Sequence, residues 1–434
     1  MARKKIREFS AKTLLRRHHK SLPSNFISFQ ATAETDWAKL KQENPWLSTA
    51  KLVVKPDMLF GQRGKHDLVG LNLSIDDAEK FVKERLGRVI TVGEAKPVTG
   101  PVTHFIIERF VPHQAEFYVS FQSEREGTNV FLSAKGGVDI EENWDKVHKI
   151  EVPVGAPLSL SDAIMAEFPD DCRAAVKTFL LESYQVFEDL DFTMMEFNPF
   201  CAATDDAGKL TVIPLDMRGE LDDQAAFKNQ RKWGDLEFPR VFGHVPNAEE
   251  EFVASLDAQT GASLKLTILN PAGRVWLLVA GGGASVIFTD TVCDLGHGEI
   301  LGNYGEYSGN PTDDHTFHYA STVLKAATRL DETNPHKGRC LLIGGGIANF
   351  TDVKATFRGI CKALLSFREQ LMACEMKIYV RRGGPNYEAA LKMLKDIEAG
   401  IGVPVEVHGP ETHMTKIVHL ASDYIHEYDK KQTR

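Results

Sequence analysis

Asn198 in "MEFNPF" and Asp216 in "VIPLDM" stand at equal distances from Ala207. Asp205, Asp206 and Gly208 supply turn chemistry between them. If the flanks pair as antiparallel strands, the two residues face each other on one side of a hairpin. A carboxamide and a carboxylate offer hard oxygens with a single full charge. That set suits Mg2+, which keeps waters and takes further ligands from phosphates. Taken alone, the pair also reads as turn and strand-end residues without a metal.

Other residues point the same way. "LVVKPDMLFGQRGKHDLVG" puts Lys55 at the end of an apolar strand, and Arg63, Gly64 and Lys65 in a short loop. A point-charge ammonium with a basic glycine loop can lie over phosphates, although a charged hairpin tip has the same composition. GxxxxGK[ST] is absent, so this is not a P-loop. "FIIERFVPHQAEFYVSF" then brings an apolar segment to Arg109, Phe110 and Val111, with Glu116 just beyond. A strand edge there can pair with an adenine through backbone groups, and the carboxylate can accept ribose hydroxyls.

The elements that must position these residues follow two rhythms. From about residue 50 to 220, short strand-like runs such as "AEFYVSFQ", "NVFLSAKGG" and "LTVIPLDM" alternate with turns. Two helical stretches interrupt them, "SIDDAEKFVKERL" with Ser74 as N-cap and "CRAAVKTFLLESYQVFEDL". This is an α+β pattern. "EFPRVFGHVPNAEEEF" reads as a linker and divides the chain into 1–245 and 246–434. The second half repeats strand, glycine-rich loop and helix, as in "RVWLLVAGGGASVIFTDTVCDL" and "RCLLIGGGIANFTDVKATFRGICKALL". Such a series makes an α/β parallel sheet of flavodoxin-like or Rossmann-like type, with its loops gathered at one edge.

At that edge "AGGGAS" and "GGGIANFT" open helices with exposed amides, a ready anion site. "VRRGG" adds Arg381 and Arg382, which alternate sides, so that one can reach the loops. A polycarboxylate is the natural guest, because guanidinium forks grip carboxylates bidentately. Neither loop is a GxGxxG fingerprint, which argues against NAD.

The chain has 434 residues, 43% hydrophobic and 26% charged, with a formal net charge of −9. That balance excludes nucleic acid as a main partner. Six scattered cysteines without a CxxC pair fit a reducing compartment, and no apolar run approaches a membrane span. The basic opening "MARKKIREFSAKTLLRRHHK" has transit-peptide composition, yet Ile6, Phe9, Leu14 and Leu15 make an apolar stripe and Glu8 interrupts the basic run. The expectation is a folded N-terminal helix in a cytoplasmic protein.

The order of lysine strand, glycine loop, apolar linker with glutamate and Asn/Asp hairpin resembles the ATP-grasp fold. With "LVVKPD", "FVPH", "PLDMRGELDD", "KWGDLEFP", "GASLKLTILNP", "VAGGGASV", "NYGEYSG", "VRRGGPNYE" and "GPETHMT", nearly the whole chain is similar to the ATP-grasp and citrate-binding part of ATP-citrate lyase. "MARKKIREF" resembles the separate subunit of the split, plant-type enzyme.

The resemblance implies that Lys55, Arg63 and Gly64 contact ATP phosphates, residues 109–111 the adenine, and Glu116 the ribose. Arg109 replaces the family's usual proline, in a linker that works through its backbone. Asn198 and Asp216 would hold Mg2+, and Asp257, Thr260 and Ala262 a second cation, where Asp257 also reads as an N-cap before a helix. Citrate would fall to Gly281, Gly282, Ser308, Gly309, Asn349, Thr351 and Arg382. Position 367, often tyrosine in the animal enzyme, is Phe367 here and lacks the hydroxyl. No catalytic residue is expected in this chain. The phosphorylated histidine, most of the CoA site and a citrate-synthase-like module would belong to a partner subunit. The neighbouring readings are the large subunit of a succinyl-CoA or citryl-CoA synthetase, and a non-catalytic metabolite-sensing subunit.

Overall fold

A computed structural model describes residues 3–61, 63–93, 97–137, 140, 144–205, 208–243, 247–332 and 334–432. Two units divide the chain, Met1–His244 and Val245–Arg434. Residues 244–246, in the expected linker, lie outside the described residues, as do Asp206 and Ala207 at the expected turn.

In the first unit the basic opening forms a strand, Arg3–Ile6, and a helix, Glu8–His18. Ala11, Leu14 and Leu15 bury one face of that helix against the unit's main core. A seven-stranded antiparallel sheet runs in the order Arg3–Ile6, Met217–Asp222, Phe192–Thr204, Phe117–Glu124, Gly127–Ser133 and His148–Pro153, with Leu210–Pro214 also paired to Phe192–Thr204. The helix Arg173–Asp189 covers it with Val176, Phe179, Leu180, Tyr184 and Phe187, an i, i+3, i+4 stripe.

A four-stranded antiparallel sheet, Ser28–Ala31, Phe105–Arg109, Leu52–Pro56 and Gly70–Leu73, has its own core. The helix Ile75–Arg85 packs there, and Ser74 caps it by accepting from the Asp77 amide.

The second unit is a six-stranded sheet ordered Ser263–Ile268, Asn303–Ser308, Val275–Ala280, Cys340–Gly345, Lys377–Arg381 and Val405–His408. The last four are parallel, and each leads through a loop into a helix: Gly282–Asp294, Val353–Ser366, Tyr387–Asp396 and Lys416–Gln432. Val275–Ala280 and Cys340–Gly345 are buried throughout, as strands covered by helices on both faces must be. The one departure from the expected parallel sheet is its edge, where Ser263–Ile268 runs antiparallel to Asn303–Ser308. Among the described residues no helix is long and apolar enough to cross a membrane.

Candidate functional site

The hairpin register places Asn198 against Asp216. Phe200 pairs with Pro214 on one side and Phe197 with Met217 on the other, and between them the Asn198 amide donates to the Asp216 carbonyl at 3.2 Å. The Asn198 carboxamide oxygen accepts from the Gly137 amide at 2.8 Å. The Asp216 carboxylate faces Arg63 Nη1 at 3.8 Å and is 38% exposed. Two oxygen donors on one side, one of them an open carboxylate at a cavity wall, fit a hydrated Mg2+.

Lys55 ends its strand inside a charged ring. Its ammonium donates to Glu8 at 2.6 Å and to the Leu215 carbonyl at 2.7 Å, and lies 3.1 Å from Glu108. Lys12 bridges the same three groups, at 2.8 Å to Glu8, 2.8 Å to Glu108 and 2.9 Å to the Leu215 carbonyl. Arg63 closes the ring by donating to the second Glu8 oxygen. Burial opposes the Lys55 charge, but Glu108, Glu8 and Asp216 outweigh it and raise the pKa. Arg63 shifts upward for the same reason, with Asp216 and Glu8 as the opposing charges. Burial also pushes the Glu8 carboxyl up, yet Lys12, Lys55 and Arg63 prevail and hold it well below the usual carboxylate range. Beside Asp216, Glu196 is shifted upward by burial against the pull of Arg218 and Tyr118.

Lys55 and Asp216 line two cavities. One, of 600 Å³, is walled by Glu8, Arg63, Glu196 and Asn198. The other, of 430 Å³, is walled by Phe26, Arg109, Val111 and Glu116. Basic and acidic groups at the first and a mostly apolar lining at the second match a phosphate end and a base end. Arg109 turns its guanidinium over the Trp46 ring, 4.9 Å from the centroid, while its backbone stays paired with Leu52. His113 bridges the Val111 carbonyl at 2.8 Å and Glu116 at 3.0 Å. Gly64 falls in a 3-10 turn, Arg63–His66. The structure therefore brings Lys55, Arg63, Arg109, Val111, Glu116, Asn198 and Asp216 around one pair of cavities.

Glu8, Lys12 and Glu108 were not singled out by sequence reasoning as site residues. The available signal was Glu8 and Lys12 at i, i+4 spacing on a helix with a buried face.

In the second unit, the loops after three parallel strands meet at one edge. The Ala348 amide donates to the Gly383 carbonyl at 2.9 Å, which joins "GGGIAN" to "RRGG". Gly281 takes φ 94° as it opens the helix Gly282–Asp294, and its amide donates to the Tyr307 carbonyl at 3.1 Å. A Cβ at Gly282 would fall 2.7 Å from the Glu306 carboxylate, which would have to swing aside. Gly309 turns at φ 75° after Ser308, and the following Asn310 accepts from the Asp352 amide at 3.3 Å. Asp352 caps the helix Val353–Ser366, which sets Asn349 and Thr351 just before its N-terminus.

The two arginines divide their roles. Arg381 commits its guanidinium to the Thr412, Gly345 and Pro410 carbonyls at 2.9–3.0 Å. Arg382 donates to the Gly346 carbonyl, and its buried Nε has no partner. Burial lowers its pKa against the opposing pull of Tyr307. An incompletely paired guanidinium among glycine loops is suited to a carboxylate.

Two expected positions do not join these clusters. Phe367 is the C-cap of the helix Val353–Ser366, at its opposite end from Thr351. At ~1.5 Å per residue the helix sets them on the order of 20 Å apart. Phe367 packs against the core instead. Asp257 sits in the last turn of the helix Ala248–Gln259, not before a helix. One of its oxygens accepts from the Leu264 amide at 2.8 Å, and the other pairs with Lys265 at 2.5 Å. The Thr260 hydroxyl accepts from the Ala262 amide at 3.1 Å. Lys265 neutralises the one carboxylate of this set, which weakens it as a second cation site.

Comparison with known proteins completes the picture. A family described as "ATP-citrate synthase ATP-grasp domain" matches residues 2–233, and one described as "ATP citrate lyase citrate-binding" matches residues 245–424. The ATP-citrate synthase alpha chain protein 2 of Arabidopsis thaliana is 52% identical over 98% of this chain and 99% of its own length. The ATP-citrate synthase of Mus musculus is 44% identical over 97% of this chain, which spans 38% of that protein. The solved ATP citrate lyase of Methanothrix soehngenii, in complex with citrate and coenzyme A, superposes with a TM-score of 0.84 at 45% identity, covering 97% of this chain and 100% of that one. The chain belongs to the ATP-citrate lyase family, with an ATP-grasp domain followed by a citrate-binding domain.

Proposed function

We propose that this chain is the ATP- and citrate-binding subunit of a two-subunit ATP-citrate lyase in the cytoplasm. The observation that carries this reading is the presence, on one polypeptide, of a charged cavity of 600 Å³ and a glycine-lined rim with a buried, incompletely paired Arg382. In it, Lys55 and Arg63 hold the ATP phosphates, the backbone at Arg109–Val111 the adenine, and Glu116 the ribose. Asn198 and Asp216 would hold Mg2+, which neutralises phosphate charge when bound. Arg382 and the amides around Gly281, Gly282, Ser308, Gly309, Asn349 and Thr351 orient citrate.

The γ-phosphoryl group moves to a histidine of the partner subunit and then to a citrate carboxylate, giving citryl phosphate. The CoA thiol, bound mainly by the partner, displaces phosphate to form citryl-CoA. The partner's lyase module then releases acetyl-CoA and oxaloacetate. Activation is needed because a free carboxylate is a very poor acylating agent for a thiol. Named alpha chains among the relatives support the requirement for a second subunit.

Reconstitution with the partner subunit tests the reading. Acetyl-CoA should form only with ATP, Mg2+, CoA and citrate all present. Succinyl-CoA formation from succinate, with citrate inert, overturns it in favour of a succinyl-CoA synthetase subunit.

A further inference from the structure

Lys55 donates hydrogen bonds to Glu8 and the Leu215 carbonyl, and Glu108 faces its ammonium as an ion pair at 3.1 Å. A phosphate oxygen that approaches this ammonium competes with those two acceptors and with the Glu108 charge. The Leu215 carbonyl belongs to the hairpin beside Asp216, and Lys12 also donates to it. Glu108 lies in a paired strand and receives Lys12 on both oxygens, at 2.9 and 2.8 Å. Glu8 differs. It opens a helix, lines the phosphate-end cavity, and holds both Lys55 and Arg63. Its side chain is fully buried, and Lys12, itself 1% exposed, touches it at 2.8 Å from the side of the next helical turn.

Charge decides which ligands can displace it. Lys12, Lys55 and Arg63 are balanced within the ring by Glu8, Glu108 and Asp216. A weakly charged anion gains little from a neutral cluster, and it would have to separate a buried carboxylate from two cations. A polyphosphate with its divalent cation brings enough charge to replace Glu8 on Lys55 and Arg63 together, while Lys12 continues to neutralise Glu8.

Resting on the nucleotide reading above, we propose that Glu8 is a specificity-determining residue: a carboxylate that competes with phosphate for Lys55 and Arg63, compensated by Lys12 when displaced, so that the site selects metal-bound polyphosphate over small anions. Glu8 discriminates by raising the charge a ligand must carry. Lys12 touches no ligand and acts through Glu8.

Calorimetry on the full chain tests this with Mg·ATP, inorganic pyrophosphate and adenosine as probes. Glu8→Gln should bind pyrophosphate and Mg·ATP at least tenfold more tightly, with adenosine unchanged. Lys12→Met should move Mg·ATP the opposite way, at least tenfold weaker, again with adenosine unchanged. Opposite signs from two neighbours in one ion cluster are not what loss of structure produces. Should Glu8→Gln fail to fold, Lys12→Met still decides, since unchanged Mg·ATP affinity there overturns the proposal. Unchanged or weaker pyrophosphate binding in a folded Glu8→Gln protein also overturns it. A wild-type chain that takes up Mg·ATP while the variants match it removes the competitor alone. A wild-type chain that takes up none removes the nucleotide reading together with it.

Discussion

The proposed nucleotide cavities of the first unit and the proposed citrate rim of the second would both receive anions, but they are prepared for them differently. In the first unit the three cations of the buried ring are already matched: Lys55 and Arg63 against Glu8, and Lys12 against Glu8 and Glu108. In the second, Arg382 is buried with one donor unpartnered, among loops whose other contributions are backbone amides. A matched cluster is stable alone and must exchange partners to bind. An unmatched guanidinium costs stability until a carboxylate arrives, and its ligand adds to folding free energy by mass action.

The largest expected effect therefore sits in the second unit. Arg382→Ala should weaken citrate binding about 100-fold, near the ~3 kcal/mol upper range for hydrogen bonds to a charged group. Mg·ATP binding should be untouched. The neighbouring Arg381→Met should instead lower the unfolding midpoint, because Arg381 clasps three carbonyls. Calorimetry and urea denaturation on both variants separate the two roles. Equal losses of citrate affinity would erase the division of labour drawn between them.

Next in size is Asp216→Ala. Removing the open carboxylate of the hairpin should weaken Mg2+-dependent ATP binding about 30-fold (~2 kcal/mol) and leave citrate affinity unchanged. Loss of both affinities would mean that the two sites are not independent binding centres.

How far these sites could be read from sequence depended on the range of the contacts. The hairpin register followed from local spacing around Ala207, and the strand, loop and helix series of the second unit from local periodicity. The Ser74 cap is likewise a three-residue contact. Lys12 with Glu108 joins residues 96 apart, and Lys12 with Leu215 residues 203 apart, so no window along the chain contains that ring. Phe367 stands apart from the rim for a related reason. Sixteen positions after Thr351 looks close on a page, but the intervening helix extends that spacing along one axis. For the arginine pair, alternation along a strand said that one side chain reaches the loops, yet both do, and of the two only Arg382 keeps a buried Nε without a partner.

Acid titration sharpens the contrast at smaller amplitude. Asp57 and Glu196 have raised folded-state values because of burial, so their contributions grow as pH falls through those values. Glu8 has a lowered value. Its contribution is complete above the ordinary ~4.3 of a glutamate and is lost as pH falls toward the folded value. On mild acidification from neutral pH the gains from Asp57 and Glu196 are opposed by His19 and His104, whose values burial lowers, and below about 4.3 the Glu8 contribution is lost. Urea unfolding of the Trp276→Phe chain follows this unit, since the four remaining tryptophans lie at 37, 46, 144 and 233. In Glu8→Gln the steep acid limb should flatten while the profile nearer neutral pH is unchanged. An equally steep acid limb in both proteins would remove the matched cluster from the account of stability.

The smallest effect belongs to Asp257, and its size is itself the discriminator. Its carboxylate receives the Leu264 amide and pairs with Lys265, whose side chain is 57% exposed. An ion pair so open to solvent contributes ~1 kcal/mol or less, and the amide bond about as much again. Asp257→Asn keeps one oxygen for the Leu264 amide and removes only the ion pair. It should shift stability by less than about 1 kcal/mol and leave the Mg2+ dependence of the reconstituted enzyme as it was. If a cation were held at Asp257, Thr260 and Ala262, the same change would remove its only full negative charge and alter the Mg2+ titration. An altered titration would therefore place a second metal in this unit, and the second unit would then share with the first the use of matched charge that now separates them.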